Sequence, residues 1–167
     1  KIHFFKYQGA GNDFVVIDNR KMSYEPDNIS RNAFLCDRRF GIGGDGLILL
    51  QEHPDYDFGM RYFNSDGNEA SMCGNGGRCI VAFANKLGLI NSTATFMAVD
   101  GVHEAHLEAD GTVNLKMSDV KDVEKNGEEY FLNTGSPHFV RFVTTLDGLD
   151  VDAEGKSVRY NDRFRNE

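Results

Sequence analysis

A polar turn that runs into a glycine-rich helix start constrains this chain more than any other stretch: Phe63-Asn64-Ser65-Asp66-Gly67-Asn68-Glu69-Ala70-Ser71-Met72-Cys73-Gly74-Asn75-Gly76-Gly77-Arg78-Cys79. Residues 80–87 continue it with apolar side chains at helical spacing, and Gly88 stands just beyond to stop the helix. Cys73 therefore lies just ahead of a helix N-terminus. First-turn N–H groups have no internal partner and the macrodipole adds partial positive charge, so such a place stabilises a thiolate and can hold a substrate carboxylate. Gly74, Gly76 and Gly77 carry no side chain to keep a ligand from the backbone. An inert core cysteine is the competing reading of the same residues.

The chain's 167 residues, 40% hydrophobic, suffice for one good core or two small lobes. A formal net charge of -8, with no basic cluster beyond Arg38-Arg39, argues against nucleic acid and anionic membrane surfaces as partners; ordinary solubility accounts for the acidity. The sequence has no apolar run approaching the roughly 18 residues of a membrane span, and its start, Lys1-Ile2-His3-Phe4-Phe5, lacks a signal-peptide layout, so a cytoplasmic protein is expected. Cys36, Cys73 and Cys79 are an odd set that fits free thiols, and no second pair of ligands completes a zinc site, so no metal is expected.

Taken in order, residues 2–7 and 13–18 read as strands joined by a tight turn at Gln8-Gly9-Ala10-Gly11-Asn12. Residues 27–37 read as a helix with a partial apolar stripe of Ile29, Ala33, Phe34 and Cys36, which places Cys36 in the core. Gly41-Ile42-Gly43-Gly44-Asp45-Gly46 matches the dinucleotide fingerprint by letter, yet a helix precedes it and a strand at 47–51 follows, the reverse of what that motif requires. Residues 57–64 alternate as a strand, with Phe58, Met60 and Tyr62 on one face, and deliver Asn64 to the turn before Cys73. Runs at 93–99, 102–109 and 112–117, joined at Asp100-Gly101 and Asp110-Gly111, form an antiparallel meander. Periodicity fails over 120–126, where a lobe boundary is expected, and a strand at 128–132 leads into Asn133-Thr134-Gly135-Ser136-Pro137-His138-Phe139-Val140. That stretch weakly repeats the glycine-led turn and strand at 11–16, and a repeat of the first lobe would place a counterpart of Cys73 at about 197, past Glu167.

Together, Gly11-Asn12-Asp13-Phe14, Asp37-Arg38-Arg39-Phe40-Gly41-Ile42-Gly43, Tyr62-Phe63-Asn64-Ser65-Asp66-Gly67 and Met72-Cys73-Gly74-Asn75-Gly76-Gly77-Arg78-Cys79 resemble diaminopimelate epimerase, with Gly135-Ser136-Pro137-His138 resembling the opening of that family's second lobe. The resemblance implies an α+β fold of two pseudo-symmetric lobes, each a mixed or antiparallel sheet wrapped around a central helix, with residues 1–119 as the N-terminal lobe and 120–167 as the beginning of the C-terminal one. It implies a pyridoxal-phosphate-independent, cofactor-free isomerase that interconverts LL- and meso-diaminopimelate for lysine and peptidoglycan synthesis, using two cysteines on opposite faces of the α-carbon. It also implies a homodimer.

Cys73 matches the first of those cysteines, and Asn12, Asn64, Gly74, Asn75, Gly76 and His138 match substrate-site positions. The second cysteine's motif is absent, so the sequence is expected to be an incomplete piece of an epimerase. Ser136 stands where the family commonly has Asn, and Gly46 where some members have Gln. Sister proline and hydroxyproline racemases share the fold, but Asn75 after Cys73-Gly74 favours the diaminopimelate enzyme. A cysteine hydrolase using Cys73, His138 and an asparagine would need a thiolate–imidazole contact.

Overall fold

The apolar runs at 14–17 and 47–50 become neighbouring strands buried on both faces in the computed structural model, which describes residues 1–165. The first unit runs β1 (Phe5–Gly9), β2 (Asn12–Asp18), α1 (Ile29–Cys36), β3 (Gly46–Gln51), β4 (Phe58–Asn64), α2 (Gly74–Lys86), β5 (Thr93–Ala98), β6 (Gly101–Leu107) and β7 (Val113–Leu115). Its seven strands lie side by side in chain order. β2 with β3 and β4 with β5 are parallel, each pair joined by a crossover that contains a helix, and the other neighbours are antiparallel.

Alternation along β2 and β3 divides the core in two. Phe14, Val16, Ile48 and Leu50 face α2 together with Phe58, Met60 and Tyr62 of β4, whereas Val15, Ile17, Leu47 and Leu49 face α1 through Leu35 and Cys36. α2 touches β1, β2, β3 and β4 as well as β6 and β7, so the sheet curls around it from one edge strand to the other. That helix is the hub of the unit: Ile80, Val81, Phe83 and Ala84 are fully buried, and burial of side chains that size is worth about 1.5–3 kcal/mol each for the larger ones.

The second unit is an antiparallel sheet ordered β10 (Pro137–Arg141), β9 (Glu129–Asn133), β8 (Val123–Asn126), packed by Phe131 and Phe139 against Phe164, with α3 (Val151–Arg159) alongside. No strand is shared between the two sheets.

Several boundaries differ from the sequence expectations. The first strand begins at Phe5 rather than residue 2. Of the apolar stripe expected on α1, Cys36 is buried as expected, but Ile29 and Phe34 are 53% and 54% exposed, and the buried face is Asn32, Leu35 and Cys36. Asn32 is tolerated there because every polar atom is paired: its amide donates to the Pro26 and Gly67 carbonyls and its oxygen accepts from the Tyr24 hydroxyl at 2.6 Å. β8 lies inside the stretch 120–126 where periodicity fails and a lobe boundary is expected; its four residues are all exposed and therefore without apolar alternation. α3 has no buried residue, so no apolar period marks it, although Asp150 accepts from the Ala153 N–H as its N-cap.

Candidate active site

Three chain segments meet at one end of the first sheet. The β1–β2 hairpin closes on the Gly9–Asn12 pair, with Ala10 and Gly11 both left-handed (φ 50 and 91), the geometry of a two-residue turn whose twist matches the strands. This turn sets Asn12, part-buried, at the first position of β2. Register places Phe14 beside Gly46 and Gly46 beside Asn64, so the start of β2 and the end of β4 lie two strand spacings, roughly 10 Å, apart on the same edge. α2 begins over the hairpin: a Cβ on Gly9 would stand 3.1 Å from the Asn75 carbonyl oxygen.

Cys73 is the N-cap of α2, with extended backbone (φ -88, ψ 126) and a half-buried thiol that makes no capping hydrogen bond. Its carbonyl accepts from the Gly77 N–H at 2.7 Å, so the N–H groups of Gly74, Asn75 and Gly76 are the free donors of the first turn. The glycines do different work from one another. A Cβ on Gly76 would press Ile48 at 3.2 Å and one on Gly77 would meet Leu115 at 2.8 Å, so these two let α2 start close against the sheet. At Gly74 the nearest atom would be Met117 Sδ at 3.7 Å, leaving that position open.

The asparagines form a directed chain. Arg78 donates to the Asn75 oxygen, the Asn75 amide donates to Asn12 Oδ1 at 2.6 Å, and the Asn12 amide donates to Asp45 Oδ2 at 3.1 Å. Arg38 bridges Asp45 at 2.8 Å and Asp13 at 2.6 Å, and Lys6 reaches Asp13 at 2.7 Å and the Gly43 carbonyl. The Asn12 amide, with smaller help from the Asp13 N–H and Arg38, holds the Asp45 carboxyl below the usual carboxylate range; Arg38 first and Lys6 second do the same for Asp13. Sequence reasoning picked out Asn12 and Asn75 but missed Asp45 and Arg78, which orient them; Asp45 lies 33 residues from Asn12, so no local pattern marks the pairing.

The glycine loop ahead of β3 is occupied with its own fold. The N–H groups of Ile42 and Gly43 donate to the Leu35 carbonyl, Gly44 to Cys36 and Asp45 to Asp13. The first three donors cap the end of α1 and the Asp45 N–H ties the loop to β2, so none is free to cradle a phosphate, in keeping with rejection of the dinucleotide fingerprint.

Asn64 ends β4 with an exposed side chain; its carbonyl accepts from Gly67 and its N–H donates to Asn68. Gly67 is left-handed (φ 87) and packed so closely that a Cβ would overlap the Ile29 carbonyl oxygen. Asn32 holds its carbonyl, so α1 anchors the turn that leads to Cys73. Cys36 and Cys79 are each 3% exposed, and burial pushes both thiols up to about 11. His138 is the second residue of β10 and keeps Nδ1 within its own turn, 2.8 Å from the Ser136 carbonyl oxygen; the turn touches the Cys73 loop through Ser136 Oγ and Ser71 Oγ, 3.5 Å apart. Among the described residues no hydrogen bond joins His138 to Cys73, so the contact a cysteine hydrolase requires is not made. The described residues contain no group of three His, Cys, Asp or Glu arranged to hold a metal, and no helix long and apolar enough to cross a membrane.

A mixed sheet curled about one helix is the fold of the phenazine biosynthesis protein of the PhzF family from Bacillus anthracis, which aligns with TM-score 0.66 at 17% identity over 87% of this chain and 57% of that one. A hydroxyproline epimerase from Agrobacterium vitis aligns with TM-score 0.56 at 13% identity over 77% of this chain and 47% of its own. At such identities the likeness establishes the fold alone. The family model described as diaminopimelate epimerase matches residues 4–123. Proteins named diaminopimelate epimerase from Flavobacterium psychrophilum and Chlorobaculum tepidum are 51% and 44% identical over 96% and 92% of this chain. The chain belongs to the diaminopimelate epimerase family. It spans 62% of the length of both of those relatives.

Proposed function

We propose that residues 1–119 form the N-terminal catalytic lobe, and 120–167 the start of the C-terminal lobe, of a bacterial, cytoplasmic, homodimeric enzyme that interconverts LL- and meso-diaminopimelate for lysine and peptidoglycan synthesis without pyridoxal phosphate. The observation that carries this reading is the half-exposed, uncapped thiol of Cys73 at the mouth of α2, beside three free N–H groups and the Asn12–Asn75 pair. Removing a weakly acidic α-proton without a cofactor requires fixed donors aimed at the carboxylate into which charge grows, and the N–H groups of Gly74, Asn75 and Gly76 are such donors and need no reorganisation. Cys73 is the base or acid on one face of the α-carbon. Its counterpart on the other face is neither Cys36 nor Cys79, since both are sealed in the core. Asn12, Asn64, Asn75 and His138 bind the amino and carboxylate ends, and closure of two lobes excludes water.

Alkylation by iodoacetamide followed by peptide mass analysis tests the assignment. The reading expects Cys73 to be modified first and to be protected by diaminopimelate but not by proline; equal protection by proline would move the function to a sister racemase.

A further inference from the structure

Gly46 is hemmed in on the face that carries Ile48 and Leu50. A Cβ built there would lie 2.5 Å from Tyr62 Cε2, 2.7 Å from the Phe63 carbonyl oxygen and 3.0 Å from the Tyr62 hydroxyl. Tyr62 pairs with Ile48 in the β3–β4 ladder, so its ring leans diagonally over Gly46, and on the far side it meets the Phe14 ring edge-on with centroids 6.1 Å apart. An aromatic ring laid over a strand glycine is a known stabilising pairing and by itself accounts for the ring. It does not account for the hydroxyl.

Tyr62 is 9% exposed, yet its hydroxyl makes no hydrogen bond to any described residue, and it is not among sealed, unpaired atoms, so it opens to solvent. A buried phenol ordinarily finds a partner. The tip points to the end of the sheet where Asp45, the residue next to Gly46, receives the Asn12 amide. The Tyr62 carbonyl accepts from the Ala70 N–H at 3.0 Å, tying the same residue to the loop that delivers Cys73, and Cys73 packs against the cluster that contains Tyr62.

We propose that Tyr62 is a substrate-contacting residue of this site, its hydroxyl standing where a side chain on residue 46 would reach and donating to a carboxylate oxygen of the bound amino acid. The inference rests on the epimerase reading given above. Burial, followed by the charge of Cys73 and then of Cys36, Asp45 and Asp66, pushes the phenol up to about 12, so the hydroxyl is a proton-bearing donor across the working range.

The test is Tyr62→Phe in the protein encoded by the complete gene, which keeps the ring over Gly46 and removes only the oxygen. α-Proton exchange of LL-diaminopimelate in D2O is followed with thermal unfolding alongside. The expected result is a KM raised about tenfold or more, the loss typical of one hydrogen bond to a charged group, with kcat within about threefold and the melting temperature unchanged. Equal KM in the variant and an active wild type would overturn the role of Tyr62 alone and leave a purely packing ring. No exchange by the wild type would overturn the epimerase reading and this role with it.

Discussion

The Asn75 side-chain amide donates to the Asn12 side-chain oxygen at 2.6 Å, joining the first turn of α2 to the β1–β2 hairpin across 63 residues of sequence. Because Asp45 takes the Asn12 amide and Arg78 donates to the Asn75 oxygen, each amide has its orientation set from both sides. A double-mutant cycle should detect this. Asn12→Ala and Asn75→Ala, measured by urea unfolding, are expected to show a coupling of about 0.5–1.5 kcal/mol, because each variant strands the other's partner. Strict additivity would mean the two amides act independently.

Gly67 is the glycine of the polar turn that the fold can least replace. Its left-handed backbone strains any L-residue, and the Cβ of an alanine would overlap the Ile29 carbonyl oxygen, an atom of the α1 backbone that cannot swing aside. Gly67→Ala is expected to cost about 2–4 kcal/mol. Gly88→Ala, with φ 73 but open space around the new methyl, should cost about 1–2 kcal/mol from backbone strain alone. Equal costs would contradict the packing account.

Alkaline stability should report the two buried thiols. Cys36 and Cys79 titrate near 11 in the folded chain and near 8.5–9 when unfolded, so between those values the unfolded state binds fewer protons and stability falls as pH rises. Below about pH 8.5 the contribution is complete. Moving from pH 8.5 to 10 is expected to cost roughly 1–2 kcal/mol per thiol, and Cys36→Ala with Cys79→Ala should flatten that limb of a urea-midpoint profile. An unchanged slope in the double variant would assign the alkaline loss to other groups.

What was legible in the sequence was local. The helix behind Cys73 could be read from glycines followed by an apolar period, and the meander of β5, β6 and β7 from two Asp-Gly turns, because both are short-range signals. The parallel pairings of β2 with β3 and β4 with β5 left no such trace, since register across a crossover is decided by which faces α1 and α2 bury. The α1 stripe was misjudged for the same reason: Asn32, polar and central to the buried face, is paid for by Tyr24, Pro26 and Gly67, partners that periodicity cannot reveal. α3 was missed although Asp150 at its start, Asp152 and Glu154 in its first turn and Lys156 and Arg159 in its last are the charge pattern of a capped helix. At the site, Cys73 and the asparagines stood out as residue types, whereas Asp45, Arg78 and Tyr62 acquire meaning only from what they touch.

The central claim is that Cys73 carries a proton to or from the α-carbon of diaminopimelate. The measurement that tests it most directly is NMR of LL-diaminopimelate in D2O with the protein encoded by the complete gene and its Cys73→Ala variant. The account predicts loss of the α-proton signal with appearance of the meso isomer in the wild type, and a fall of at least about a thousandfold in the variant, whose fold and melting temperature are kept. Exchange that persists in Cys73→Ala, or exchange with proline in place of diaminopimelate, would contradict it.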